Sequence, residues 1–371
     1  MHDVLEHVLW PLVSRMEDGI NMICPDGKHR LCVPVLAQYI SDYKEQRSVA
    51  CVLQGFCPKC VIPMFRKPTA DTPDVANTLE GFEQDEDEFL VDTVNLTTQH
   101  PPRDNFEAKH LRAFYQNDPK ALWRYGYHAT IPFIERHIYS SVYNSLASDL
   151  LHQVSKCFYD YIHQWVLIII SEKPMGASHP ARGKANATGA ARKADSKQKV
   201  RGEIDVRFSH IPLYPGLRAF HDGITLTSRW QGNEFKNMLK VYLGVVIGLL
   251  PTDVIRLIKA YLDIHRLAHY MSHSESTLRM LEEAISEFER LLHDPQGTII
   301  SRKVWTVGWH CPKIHYLRHY PEWICQHGLL PFCSTEQSEH YHKHIKNSYR
   351  QSNKGLEAER FCVRDEVQCF A

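Results

Sequence analysis

The sequence predicts an α/β protein with a large, mainly helical part, and three observations support this prediction. The apolar run VPVLAQYI, residues 33–40, is typical of a buried β-strand. Apolar residues recur at helical spacing in the opening segment LEHVLWPLV and again between residues 203 and 310. The chain has 371 residues, of which 43% are hydrophobic, so it can bury a substantial core around these elements.

The N-terminal elements follow one another closely. The opening helix is predicted to end at Gly19, because glycine often terminates a helix. The segment CPDGKHR then predicts a turn, and the strand that follows it ends at Asp42.

Two stretches have the composition of surface loops. Residues 69–102 contain no Lys or Arg, and the segment 71–92 carries nine acids, which predicts an acidic loop over 71–103. Residues 171–202 are rich in Ala, Gly, Ser, Lys and Arg without apolar periodicity, which indicates a flexible basic insert.

Two amphipathic stripes predict core helices in the middle of the chain. Thr252 is predicted to cap the first of these helices. The stripes consist of Val254, Leu257, Ile258, Tyr261, His265 and Ala268, and of Leu278, Leu281, Ile285, Phe288 and Leu292.

Charge and cysteine content narrow the class of protein. The formal net charge is zero, so charge alone does not indicate a nucleic-acid partner. The eleven cysteines are an odd number, and the N-terminus lacks the basic region of a signal peptide, which together favour a reducing compartment. The apolar run 165–170 is far shorter than the roughly 20 residues of a membrane-spanning helix.

A Cys-x-x-Cys pair, Cys57 and Cys60, has the spacing of two zinc ligands. The absence of a second such pair argues against a zinc ribbon, and the absence of a strand-helix redox pattern weakens a thioredoxin-like interpretation. His315 and His319 are four residues apart, which places both imidazoles on one helix face, and His310 is an alternate ligand. Two thiols and a surface histidine cluster without metal remain the alternative.

Two carboxylates flank these four residues. Asp42 lies fifteen residues before Cys57, and Glu336 lies seventeen residues after His319. If one zinc joins the two segments, it also draws together carboxylates of the kind that hold Mg²⁺ or Mn²⁺ for phosphoryl chemistry. The alternative for Asp42 is a turn residue at the end of the strand, and the alternative for Glu336 is a helix-capping or surface acid.

Beside these residues, an ordered set of motifs resembles fungal transposases of the Plavaka type, which are related to the CACTA group. The motifs are YISDYKEQ, CPKC, SDLLHQVSKCFYDYIHQW, EIDVRF, FHDGI, WQGNEFKNM, KIHYLRHY and STEQSEHYHKHIKNSYRQSNK. The resemblance implies a partial RNase H-like core with a large, mainly helical insertion. Residues 1–70 would form the C-terminal part of the core and carry the second catalytic Asp. The acidic loop 71–103 and the helical insertion 104–310 would follow, and residues 311–371 would carry the catalytic Glu.

The resemblance also implies roles for individual residues. Asp42 would be the second carboxylate of an Asp-Asp-Glu triad and Glu336 the third, with Glu339 as its fallback on the same helix face. The arrangement resembles that of the V(D)J recombinase, in which a Cys pair and a His pair share one structural zinc. Asp149 and His152 match an Asp-x-x-His element that braces the core or approaches DNA, unless they are a helix-start Asp and a packed His.

The family function implied by the resemblance is Mg²⁺- or Mn²⁺-dependent cleavage and strand transfer on DNA, with transposon ends and target as partners. A nuclear location and a homodimer would accompany it. Asp3 and Asp26 do not lie on an apolar strand, so the first catalytic Asp is expected to be absent. The chain is therefore predicted to be an N-terminally truncated, catalytically impaired transposase. A host-retained DNA-binding or scaffold protein is the alternative, and an unrelated zinc-stabilised helical protein is disfavoured.

Overall fold

The architecture is mostly helical. In the computed structural model, the described residues are 2–53, 56–61, 101–123, 125–136, 140–172, 201–225, 227, 230–292 and 312–351. The α-helices are α1 (His2–Val13), α2 (Tyr43–Ala50), α3 (Asn105–Phe114), α4 (Pro119–Trp123), α5 (Val142–Ser145), α6 (Gln164–Glu172), α7 (Gly232–Val246), α8 (Thr252–Ala268), α9 (Glu275–Leu292), α10 (Pro312–Tyr316), α11 (Tyr320–His327) and α12 (Glu336–Gln351).

Shorter helical elements connect these helices. Residues 201–209 are also helical. The 3₁₀ turns are Phe133–Arg136, Leu317–His319 and Leu330–Cys333, and the π-helical segments are Leu151–Ser155 and Phe158–His163. The predicted acidic loop 71–103 and basic insert 171–202 fall mostly outside the described residues.

An antiparallel hairpin of β1 (Ile20–Ile23) and β2 (His29–Cys32) follows α1. Its loop confirms the predicted turn, because the Cys24 amide donates to the Lys28 carbonyl at 2.9 Å. The opening helix is confirmed as well, although it ends at Val13, six residues before the predicted end. Gly19 lies between helix and hairpin with φ of 71°, a left-handed conformation that favours glycine.

The prediction of a buried strand over 33–40 is wrong about burial. The segment is extended, but it makes a single parallel bridge, from Tyr39 to Leu146. Its side chains alternate in burial, and Val35 is 55% exposed. Apolar residues on both faces indicated burial on both faces, whereas only one face packs against protein. Among the described residues the one sheet is the β1–β2 hairpin, so the RNase H-like core stays a prediction.

Asp42 ends this extended segment and begins α2. Its backbone is extended, with φ of −70° and ψ of 167°, and its side chain accepts a hydrogen bond from the Glu45 amide at 2.8 Å. This is the geometry of an N-cap, which satisfies an amide that α2 cannot bond internally. The α2 helix ends at Cys51 in the left-handed conformation.

Two hydrophobic clusters hold the elements together. The smaller one joins α2, α3 and α5 through residues such as Val49, Ala108 and Val142. The larger one runs from Cys57 through the two π-helical segments, α7, α8 and α9 to α11. It therefore contains residues from the predicted insertion and from both chain ends, while the domain boundaries themselves stay a prediction.

The predicted amphipathic stripes form the interface of an α8–α9 helical hairpin. Tyr261 of α8 and Phe288 of α9 are both buried, and their ring centroids are 5.2 Å apart. Thr252 is the first residue of α8 and Pro251 is its N-cap, one position earlier than predicted. No described helix combines the length and the apolar character that crossing a membrane requires.

Phe158 is fully buried, and its ring lies 4.7 Å from that of Tyr242 and 5.5 Å from that of Tyr261. Phe158→Ala is expected to lower the free energy of unfolding by about 3–5 kcal/mol, because it leaves a cavity at the centre of the larger cluster. Phe114, 71% exposed, is the matched control, and Phe114→Ala should cost less than about 0.5 kcal/mol. Urea denaturation measures both, and equal losses would contradict this packing.

Candidate metal centre and carboxylate cluster

Four predicted ligands meet at one place. The sulfur of Cys60 lies 3.1 Å from Nε2 of His315, and the sulfur of Cys57 lies 3.4 Å from Nε2 of His319. The four ligand atoms all lie within 4.8 Å of one another. In a tetrahedral zinc site with ordinary bond lengths, sulfur and nitrogen are about 3.5 Å apart, so the set fits a zinc ion.

The Cys-Pro-Lys-Cys loop is shaped before any metal is considered. The Lys59 amide donates to the Cys57 sulfur at 3.4 Å, and the sulfurs of Cys57 and Cys60 lie within 4.8 Å of each other. Arg103, 2% exposed, donates from Nε to the Cys57 carbonyl at 2.8 Å, and its amide donates to the Lys59 carbonyl at 2.9 Å. Arg103 therefore fixes the backbone of the Cys loop through two of its carbonyl groups.

The histidine segment is held by a different contact. His315 lies in α10 and His319 is the last residue of the 3₁₀ turn that follows, and their ring centroids are 5.3 Å apart. Between them, Arg318 forms an ion pair with Glu289 of α9, with Nη2 to Oε2 at 2.6 Å. This pair fixes the segment to the helical hairpin. The alternate ligand His310 lies outside the described residues.

The electrostatics of the cluster favour a thiolate. Burial opposes ionisation of Cys57, but the neighbouring Cys60 thiol and the charges of His319 and His315 outweigh it, so the pKa of Cys57 lies well below its ordinary value. Thiolates and imidazoles are the ligands that structural zinc sites use. With four protein ligands there is no open position for a substrate, so the arrangement suits a structural metal rather than a catalytic one.

A second polar cluster surrounds Asp149, which is fully buried. Its carboxylate accepts hydrogen bonds from the amides of Leu151 and His152, both at 3.1 Å, and from Nδ1 of His152 at 2.7 Å. It also accepts from the amide and the hydroxyl of Thr335, at 3.0 and 2.9 Å. One carboxylate thus ties a π-helical segment to the start of α12, 186 residues away in sequence.

His152 connects Asp149 to further acids. Its Nε2 lies 3.0 Å from the Glu339 carboxylate. Burial lowers the pKa of His152, but the hydrogen bond and charge of Asp149 outweigh it, with smaller contributions from Glu339 and Asp42, so the pKa is raised. For Asp149, burial acts in the opposite direction and raises the pKa. Its hydrogen bonds to His152 and Thr335 outweigh burial, so the pKa of Asp149 is lowered.

The predicted third carboxylate faces another neighbour. Glu336 is the first residue of α12, and its Oε2 lies 2.7 Å from Nζ of Lys236 on α7. The fallback acid Glu339 contacts His152 instead, and the Asp42 charge also contributes to the raised pKa of His152. Over the part of the chain that the structure describes, the Cys/His set is the one group of three or more metal-ligand side chains that converge.

Sequence reasoning missed three residues of these sites. Arg103 supports the Cys loop, Thr335 binds Asp149, and Lys236 pairs with Glu336. Lys236 and Thr335 lie within quoted motifs, but their partners are 100 and 186 residues away, and Arg103 lies 46 residues from Cys57, so local spacing carries no signal for these pairings.

Comparison with known proteins gives one match. The family model described as Plavaka transposase matches residues 1–166, a range that includes Asp42, both cysteines of the metal cluster, Asp149 and His152. No curated protein and no solved structure matches the chain.

Purified protein is expected to retain about one zinc per chain, and Cys57→Ser should abolish that retention because a tetrahedral site loses one of its two thiolates. Cys325 is exposed, so Cys325→Ser is the matched control and should keep the metal. Metal analysis after dialysis against a weak chelator measures both. Retention by the Cys57 variant, or loss by the control, would contradict the shared site.

Removing His152 should cost more stability in weak acid than in base. Its pKa is raised on folding, so its contribution is full below about pH 6.5 and disappears as pH rises through the raised pKa. His152→Gln is therefore expected to destabilise the protein more at about pH 6 than at about pH 9. Denaturation in chelator-treated buffer at both values measures this, and a pH-independent loss would contradict a raised pKa of His152 that lies between them.

Proposed function

We propose, from the match of residues 1–166 to the family model described as Plavaka transposase, that this chain is a transposase-derived DNA-binding protein built around a structural zinc. In this proposal Asp42 and Glu336 bind Mg²⁺ or Mn²⁺ for phosphodiester chemistry. The observation that carries it is the convergence of Cys57, Cys60, His315 and His319, because it joins the two segments on which these carboxylates lie.

The zinc set would serve as a staple. It closes a loop of more than 250 residues, and ligands that far apart in sequence fix the relative position of two distant segments. Asp42 leads into the helix before the Cys loop, and α12 follows the His segment. The Asp42 charge acts on His152, which contacts Glu339 on α12, and this supports a common location for the carboxylates.

Each residue of the carboxylate group has a role in this proposal. Asp42 and Glu336 supply charged oxygen ligands, and Glu339 is the alternate to Glu336. Asp149 and His152 position the N-terminus of α12, and with it both glutamates. Divalent ions, when bound, would neutralise phosphate charge and activate water for attack.

The remaining parts of the proposal follow from the family. Transposases act on DNA, so the partners would be transposon ends and target DNA, the location would be nuclear, and a homodimer is the expected assembly. The basic residues of the 171–202 segment would add contacts to phosphates.

A second candidate function is DNA binding or scaffolding without cleavage. It is favoured by one observation, which is that both proposed carboxylates already have structural partners. Asp42 caps α2, and Glu336 pairs with Lys236. The zinc staple and the DNA contacts would be the same in both candidates, and the difference lies in divalent-ion binding and strand cleavage.

Asp42→Asn and Glu336→Gln are expected to weaken Mn²⁺ binding by about tenfold or more, because affinity follows the number of charged oxygen ligands. Asparagine caps helices as well as aspartate does, so the Asp42 variant should keep its fold. Asp253→Asn, on the exposed first turn of α8, is the control. Titration followed by Mn²⁺ electron paramagnetic resonance measures the affinities. Unchanged affinity in both variants would contradict the carboxylate assignment.

The chain should bind DNA with an affinity that falls about 100-fold or more between ~50 and ~200 mM salt, as contacts with several phosphates require. Fluorescence anisotropy measures this, and failure to bind would refute both candidate functions. Nicking of a supercoiled plasmid then separates them. Mn²⁺-dependent nicking that Asp42→Asn abolishes supports the transposase, whereas salt-dependent binding without nicking supports the non-cleaving candidate.

A further inference from the structure

The Lys236–Glu336 pair has features that a simple surface ion pair does not explain. Both side chains are about one-third exposed, and the contact joins two helices from different parts of the chain. The Oε2 atom of Glu336 is held by the ammonium at 2.7 Å. Its Oε1 atom is buried and accepts no hydrogen bond from the described residues.

Gly232, the first residue of α7, explains why Oε1 is inaccessible. A Cβ atom at this position would collide with Oε1 of Glu336 and would lie 3.1 Å from a methyl carbon of Leu151. The carboxylate therefore packs directly against the α7 backbone, and its open side is the one that Lys236 covers. A cation that binds Oε2 of Glu336 from solvent therefore competes with this ammonium.

The other neighbours of Lys236 do not compete for its charge. The Lys236 charge acts on His265 and His269 near the C-terminus of α8. Burial lowers the pKa of both, the charge of His269 lowers that of His265 further, and Lys236 makes a smaller contribution to each. Nδ1 of His269 donates to the His265 carbonyl at 2.7 Å, and its Nε2 is buried and has no hydrogen-bond partner among the described residues. Within the described ranges, Glu336 is the one acid that pairs with Lys236.

We propose that Lys236 is a competing cation that occupies the metal-binding side of Glu336 until a divalent ion displaces it and that it then contacts a DNA phosphate. This inference rests on the proposed role of Glu336. The ammonium is a compact charge on a flexible four-carbon stem, so it can leave the carboxylate and remain within reach of a phosphate at the same place. The exchange keeps positive charge beside Glu336 in the metal-free protein and beside the phosphate in the complex.

The first test is Mn²⁺ affinity. Lys236→Met should bind Mn²⁺ about two- to fivefold more tightly than the wild type, the range expected when a partly exposed ion pair no longer competes. Lys236→Arg keeps the charge and should show no such increase. Lys240, one turn further along α7, bonds only weakly to the Gly216 carbonyl and to Asn237, both at 3.4 Å, and Lys240→Met is the matched control. If Lys236→Met fails to fold, Lys236→Gln removes the same charge and retains a hydrogen-bond donor.

The second test is the salt dependence of DNA binding. With Mn²⁺ present, Lys236→Met should reduce the slope of log affinity against log salt by about one, because one phosphate contact is lost. Without Mn²⁺ the slope should equal that of the wild type, since Lys236 is then held by Glu336. Lys240→Met should show no difference that depends on Mn²⁺.

The outcomes separate the inference from the function on which it rests. If Glu336→Gln weakens Mn²⁺ binding while Lys236→Met leaves it unchanged or weaker, the ion pair is a structural tether and the inference is overturned. If Glu336→Gln has no effect, the proposed role of Glu336 is wrong and the inference falls with it. Tighter binding by Lys236→Met that disappears in the double variant with Glu336→Gln is the result that supports both.

Discussion

The convergence of two cysteines and two histidines is the constraint on which the rest of the structure depends. Cys60 and His315 are separated by 255 residues, yet their ligand atoms are 3.1 Å apart. The chain between them includes most of the larger hydrophobic cluster, and Cys57 and Cys60 are themselves members of it. A metal at this point would add a bond energy to contacts that burial already favours, because folding and metal binding are coupled when the ligands come from distant segments.

Asp149 is a second tie, and it joins the first π-helical segment to the same C-terminal part of the chain. Its carboxylate is removed from water, a costly arrangement that is tolerated because five donors surround it. Two of those donors belong to Thr335, directly before α12. The Cys/His cluster thus places the C-terminal segment, and Asp149 fixes the point where its last described helix begins. The two glutamates near this point have different partners, because Glu336 pairs with Lys236 and Glu339 pairs with His152.

The sequence was most informative where ligand chemistry and local spacing coincide. The Cys-x-x-Cys pair and the His pair four residues apart predicted the metal cluster, and all four side chains converge. The two amphipathic stripes predicted α8 and α9 for the same reason, since helical periodicity is a local property. The segment that ends at Asp42 shows what the sequence cannot predict. An apolar run does not distinguish a strand buried on both faces from an extended segment in which Val35 is exposed to solvent. The Lys236–Glu336 pair could not be predicted at all, because tertiary packing alone brings these residues together.

X-ray absorption at the zinc edge of the intact protein identifies the ligands of the metal. A shared Cys/His centre is expected to show two sulfur ligands at about 2.3 Å and two nitrogen ligands at about 2.0–2.1 Å, with the multiple-scattering signature of imidazole. Such a spectrum requires that the Cys and His segments share one ion. Four sulfur ligands, or none, would show that the two segments do not meet at a common metal and that the Cys/His cluster is not a shared zinc site.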